Sequence, residues 1–255
     1  MTLMLDYPYV VFNGDEYVIL FKPPFMHSAP LKQGESGVLS SWCGEHFPGF
    51  LAVRGNKAIE GGLLHRLDYE TSGLVFAALT QRVLEAMLDQ QERGLFIKEY
   101  EAVASKAADT PPGFPPRPVH RVVPPKSRAF RVESGFRYYG VGRKSVRPVP
   151  VYQENPNRSV PPPAGNSYKT EILGMTPAVD LNFPKDILRI RLRLTRGFRH
   201  QIRCHLAWVG LPILGDTLYG GEAYPGPLKL NAVSLAFTDP LNGAPMNIEF
   251  SGDSE

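Results

Sequence analysis

From Ile187 to Leu194 the chain alternates without a break: Leu188, Ile190, Leu192 and Leu194 take one set of positions, and Arg189, Arg191 and Arg193 take the other. Successive strand side chains leave on opposite faces, so the pattern predicts a β-strand with an apolar face and a stripe of three guanidinium groups. Other strands follow. Residues 17–21 are a short apolar run stopped by Lys22-Pro23-Pro24, and residues 74–79 are a second such run. Residues 96–103 read as a strand with Lys98, Tyr100 and Ala102 on one face, and residues 168–173 read as another.

Helices are fewer. Thr80 suits an N-cap for a helix reaching about Arg93, with Val83, Leu84, Met87 and Leu88 on one side and Gly94 as terminator. His200 to Val209 reads as a short helix, with Ile202, Leu206 and Val209 inward and Gly210 and Pro212 ending it. Residues 148–165 hold six prolines, which exclude a central strand and predict a long surface loop, about 143–166. No repeat or heptad appears, and short connections disfavour a regular βαβ series. The expectation is an α+β fold: one extended mixed, mostly antiparallel sheet flanked by helices and loops, as a single domain over residues 1–255.

The net charge is only +3, but it is unevenly spread. Residues 117–147 hold nine Lys or Arg and one acid, and residues 185–203 hold seven and one; these two stretches sum to +14, leaving −11 for the rest. Such stretches suit a polyanion, because neutralised phosphates release counterions, although solvated charged faces would look the same. No run is long enough for a membrane helix, no signal peptide opens the chain, and the two cysteines, Cys43 and Cys204, form no disulfide framework. A cytoplasmic protein is expected.

Ionisable and hydroxyl side chains crowd into residues 64–73, between two apolar stretches: His65, Arg66, Asp68, Tyr69, Glu70, Thr71 and Ser72. A loop braced by strands is where sites are built. In an extended chain Arg66 and Asp68 point the same way, and a cation nearby favours the ionised carboxylate. A structural Arg–Asp pair, with Thr71 and Ser72 bonding local backbone, fits the same residues.

The string His65-Arg66-Leu67-Asp68, followed by Thr71-Ser72-Gly73-Leu74, resembles the signature of the RluA-type pseudouridine synthases. Further pieces come in that family's order: Lys22-Pro23-Pro24, Lys98-Glu99-Tyr100-Glu101-Ala102, His200-Gln201-Ile202-Arg203-Cys204-His205-Leu206, then Gly210 to Asp216 and Tyr219-Gly220. The likeness runs from about Val10 to about residue 250. It implies an RNA-modifying isomerase that cuts the N1–C1′ bond of particular uridines in ribosomal or transfer RNA, turns the base and rejoins it through C5. It implies Asp68 as the catalytic carboxylate, nucleophile or initiating base. Tyr100 is then the tyrosine against the target base, Arg203 the arginine paired with the aspartate, and Arg66 the side chain that fills the gap of a flipped uridine. Such chemistry requires neither metal nor cofactor. Arg189, Arg191 and Arg193 are the expected phosphate contacts. RNA is the partner, no membrane is involved, and the protein is expected to act as a monomer.

The family usually reads Thr-Gly-Arg, one residue, then His-Gln. Here Thr195-Arg196-Gly197-Phe198-Arg199 precedes His200, a one-residue insertion that bears on Arg196 and Arg199 more than on Arg203. From the early start of the motifs no amino-terminal S4-like domain is expected. Two other readings compete: a glycoside hydrolase pairing Asp68 with Glu70 or Glu99, which leaves the basic stretches unexplained, and an RNA-binding protein without catalysis. Cys43, His46, Cys204 and His205 match no zinc spacing.

Overall fold

The computed structural model describes residues 7–32, 35–55, 58–118, 129–151, 167–181 and 183–250. In chain order the elements are β1 (Tyr9–Asn13), β2 (Tyr17–Lys22), α1 (Leu39–His46), β3 (Ser72–Ala78), α2 (Gln81–Glu92), β4 (Ile97–Ser105), β5 (Phe130–Tyr139), β6 (Ser145–Pro150), β7 (Tyr168–Asp180), β8 (Phe183–Leu194), α3 (Gln201–Trp208), β9 (Leu230–Thr238) and β10 (Pro245–Glu249). Strands outnumber helices and pair mostly antiparallel, with β3 and β9 parallel, so the α+β class and the mixed sheet agree with the sequence reading. The chain forms two compact units, Met1–Tyr100 with Leu230–Glu255, and Glu101–Lys229.

In the first unit the strand order is β1-β2-β3-β9, with β10 paired to β9. Both β2 and β3 are buried along their whole length, as their continuous apolar runs require. Their core is aromatic: Tyr17 stacks on Phe76 at 5.0 Å, and Phe237 meets Phe76 edge-on at 5.4 Å. Each such ring fully removed from water contributes about 1.5–3 kcal/mol. Helix α2 adds Val83, Leu84 and Met87 to this core. Thr80 caps it as expected, its hydroxyl accepting from Val83 N–H at 3.4 Å, and Gly94 follows in the left-handed region. Gln90 then clamps the helix to β9 through Thr238, with bonds of 2.7 and 2.9 Å.

Gly73 is fixed by this packing. It takes φ +120°, and a Cβ there would stand 2.2 Å from the Ala232 carbonyl oxygen of β9. The parallel β3–β9 contact therefore needs a glycine directly after the ionisable loop.

In the second unit β8, β7, β5 and β6 lie side by side, all antiparallel. Helix α3 is buried on every side, more than the inward trio of the sequence reading. His205 pins it to the strands: Nε2 lies 2.9 Å from Ser134 Oγ on β5, and Nδ1 lies 2.8 Å from Thr170 Oγ1 on β7. Burial drives the His205 pKa down to about 3, so the ring stays neutral. Two expectations need correction here. Residues 145–150, read as the start of a proline-rich loop, form β6; its prolines are tolerated because β6 ends the strand order and needs donors on one side only. The remainder of that loop, residues 152–166, lies outside the described residues, as does the 119–128 part of the first basic stretch. His200 is not the first helical residue but the N-cap, in the left-handed region at φ 53°.

Candidate active site

Residues 62–64 run antiparallel to the end of β3, with Ala78 N–H bonded to Gly62 O at 2.8 Å and Leu64 N–H to Phe76 O at 3.1 Å. The chain then leaves the ladder and is caught by Ser28. Its hydroxyl accepts from Leu67 N–H and donates to Leu67 O, both at 3.0 Å, and Leu67 itself is buried. The next residue is Asp68, partly buried, which opens a turn closed by Thr71 N–H on Asp68 O at 3.1 Å. The backbone of Asp68 is thus held on one side by Ser28 and on the other by the turn into β3. A short bond from Ser72 Oγ to Asn231 Oδ1 ties the start of β3 to β9.

Two buried ionisable groups sense the Asp68 charge. Lys22 ends β2 with no exposure, its ammonium donating to Pro23 O at 2.7 Å, Met26 O at 2.8 Å and Tyr69 O at 3.5 Å. Burial lowers its pKa to about 7, against the opposing pull of Asp68 and Glu70. Tyr100 on β4 is 6% exposed, and burial together with the Asp68 carboxylate pushes its phenol well up. A phenol so placed stays neutral and offers a ring and a hydrogen-bond donor rather than a phenolate. Lys98 lies two residues earlier on the same buried face, its pKa brought down to about 8 by burial, with its ammonium 5.4 Å from the Phe96 ring. Burial and Lys98 hold the His65 pKa well below the usual histidine range.

Arg203 lies on α3 in the second unit. Its Nε and Nη2 donate to the two carboxylate oxygens of Asp216, each at 2.8 Å, and both side chains are buried. The guanidinium carbon is also 5.5 Å from the Tyr219 ring, whose hydroxyl accepts from Val146 N–H at 2.9 Å. Such a bidentate pair fixes the plane of the guanidinium group.

A family model described as RNA pseudouridylate synthase matches residues 16–208, a span that contains Lys22, Asp68, Tyr100 and Arg203. The chain belongs to that family. Among its relatives are the ribosomal large subunit pseudouridine synthase D of Haemophilus influenzae, 25% identical over 93% of this chain and 65% of that protein, and the RNA pseudouridine synthase YhcT of Bacillus subtilis, described as uncharacterized, 28% identical over 83% of this chain and 57% of that one. The chain therefore spans roughly three fifths of the length of these relatives. Two solved structures share its fold. Human RNA pseudouridylate synthase domain containing 1 aligns with TM-score 0.66 at 17% identity, covering 96% of this chain and 83% of that one. The human domain containing 4 protein aligns with TM-score 0.62 at 17% identity, covering 95% and 87%.

In this pseudouridylate synthase family member the arginines singled out from the sequence occupy different settings. Arg66 is exposed and paired with Glu60 at 3.1 Å. Arg189 and Arg191 are exposed on β8 and Arg193 is partly so, with Leu192 and Leu194 buried between and beyond them, as the alternation requires. Arg189 donates to Glu101 at 2.8 Å. Asp68 and Tyr100 share the first unit, while Arg203 and the β8 stripe belong to the second. The sequence reading missed two groups, Lys22 as the buried cation near Asp68 and Asp216 as a partner of Arg203. For Lys22 the sequence offered only its place at the end of an apolar run, ahead of Pro23-Pro24.

Proposed function

We propose that this chain isomerises particular uridines in structured RNA to pseudouridine, with Asp68 as its catalytic carboxylate. The observation that carries the reading is the placement of Asp68 within the span matched to the family: a partly buried carboxylate, its backbone held by Ser28-bound Leu67 and the Thr71 turn, with the buried Lys22 and Tyr100 both feeling its charge. In the reaction the N1–C1′ bond breaks, C5 joins C1′, the C5 proton leaves and N1 gains one, so the product is an isomer and no redox partner is consumed. Asp68 either attacks C1′ or initiates by taking a proton. A stem hides the glycosidic bond, so the target base is flipped out, at a cost of a few kcal/mol in lost stacking. Tyr100, neutral in its buried site, supplies a ring for the base and a proton-donating hydroxyl. Arg66, at the exposed side of the same loop, fills the vacated stack. The RluA-type resemblance gives Arg203 as the arginine paired with the aspartate, and within its own unit Asp216 orients its guanidinium plane. The β8 arginines take phosphates. Ribosomal RNA is the favoured substrate class, because the Haemophilus relative is named for the large ribosomal subunit.

The test is Asp68→Asn, which keeps size and hydrogen bonding and removes the charge. Pseudouridines are mapped in ribosomal and transfer RNA from cells that lack the protein and carry either the wild-type or the variant chain. At least one site should depend on the wild-type chain and stay uridine with Asp68→Asn, while the purified variant still binds RNA and melts cooperatively. Modification by a folded Asn variant would refute the assignment.

A further inference from the structure

The hairpin formed by β5 and β6 carries a feature that neither the resemblance nor the proposed chemistry uses. Tyr138 and Tyr139 end β5 with 42% and 46% of their surface exposed. Each ring has an arginine on it: the Arg147 guanidinium lies 3.0 Å from the Tyr139 centroid, and that of Arg143 lies 5.0 Å from Tyr138. The turn that joins the strands makes this possible. Gly140, Gly142 and Arg143 all take positive φ, at 81°, 67° and 54°, and Arg143 is turned back toward the strand it follows.

The two faces of the hairpin differ. Phe136 and Tyr138 share one face with the buried Val146, and Tyr138 lies 5.8 Å from Phe198. Arg137, Tyr139, Ser145 and Arg147 share the other, with Arg137 directly across from Arg147. Arg147 is tied down, its Nη2 donating to Pro112 O at 3.1 Å and its guanidinium group against Gly113. Tyr139 therefore has a tethered cation against its ring while 46% of the residue stays exposed, and Arg137 is exposed on the same face of the hairpin. Residues 134–151 hold four cations and no acid, in a unit where 20 Lys and Arg outnumber 9 Asp and Glu, against 8 and 16 in the other unit.

An exposed ring backed by a guanidinium group, with a free-standing arginine alongside, suits a nucleobase with its phosphate. We propose that this hairpin is a stacking platform for an unpaired nucleotide of the RNA, with the base on Tyr139 and a neighbouring phosphate on Arg137. The inference rests on the proposed RNA-modifying function but concerns an unpaired nucleotide other than the uridine that reacts.

Full-length chain is titrated by fluorescence anisotropy with labelled oligouridylate, and with an abasic phosphodiester of equal length that carries the charges without the bases. Tyr139→Ala should weaken oligouridylate binding about tenfold and leave the abasic ligand unchanged, while Tyr139→Phe binds like wild type. Arg137→Ala should weaken both ligands alike and lower the salt slope by about one. Tyr139→Trp adds a direct readout: oligouridylate should quench its emission beyond any change in the wild-type chain, and the abasic ligand should not. That quenching decides the matter even if the alanine variant fails to fold. Tyr139→Ala binding oligouridylate as wild type does, or losing both ligands equally, or a Tyr139→Trp emission unmoved by oligouridylate, would overturn the platform; the first result would leave the hairpin to a protein partner. A wild-type chain that bound neither ligand would also overturn the platform, whereas the proposed function, which concerns structured RNA, stands or falls on the Asp68→Asn mapping.

Discussion

Arg203→Lys keeps a positive charge on α3 and removes a geometry. In the native chain the Nε and Nη2 of Arg203 each reach an oxygen of Asp216 at 2.8 Å, with the two side chains 3% and 0% exposed. An ammonium on a flexible stem is a point charge that cannot reproduce the two parallel bonds of the planar fork. At least one charge-assisted hydrogen bond is lost, about 1.5–3 kcal/mol, and a carboxylate oxygen is left buried without it. Arg203→Met removes the charge as well and leaves Asp216 uncompensated, which costs about 3–5 kcal/mol. In a chain of this size 1 kcal/mol corresponds to about 2–4 °C in Tm, so the lysine variant should melt about 3–12 °C lower and the methionine variant lower still. The assay is urea and thermal unfolding followed by tryptophan fluorescence in a Trp42→Phe background. Trp208 then reports the unit that holds the pair, since it sits on α3 with its indole N–H bonded to Pro115 O at 3.1 Å and Pro116 O at 2.9 Å. Asp216→Asn should be destabilising too, and the Arg203→Met, Asp216→Leu double variant should recover part of the loss, because a buried pair replaced by packed apolar groups costs less than a broken one. A lysine variant with wild-type stability would refute the reasoning.

Lys22→Met should change how stability depends on pH. The native lysine gives up its proton near pH 7 and the unfolded one near 10.5, so between these values the unfolded chain holds more protons and wild-type stability gains with rising pH. The gain is complete above the unfolded value and is lost as pH falls through the native one, so the difference between variant and wild type should shift steadily toward the variant on going from about pH 10 to about pH 6. Parallel pH profiles in urea titrations would count against a buried, titrating Lys22. Replacing Arg189 and Arg191 together with Ala should weaken binding to unrelated RNAs alike and reduce the salt slope by about one to two, read from affinities at several salt concentrations; a loss confined to one sequence would mean base reading rather than phosphate contact.

Where neighbours in the sequence decide the outcome, the residues could be read directly. The alternation of 187–194 became β8, Lys98, Tyr100 and Ala102 share a buried face of β4, and Thr80 caps α2. Each of these depends on a local period or a single local hydrogen bond, so the residue order carries it. The ordered motifs likewise point to the family. What tertiary structure decided depends on residues far apart in the chain. Pro148 and Pro150 lie in a strand because β6 falls at the end of the strand order, which no local pattern reveals. Gly73 is required by Ala232, 159 positions away, through a backbone approach of 2.2 Å to any Cβ. Lys22 is a buried cation whose ammonium is held by the carbonyls of Pro23, Met26 and Tyr69, and a lysine's ionisation depends on how completely the assembled core removes water from it. Sequence supplied the candidate carboxylate and the strands that present it; the electrostatic setting of that carboxylate exists only once distant segments have packed, because desolvation and Coulomb interaction are set by distance in space and not along the chain.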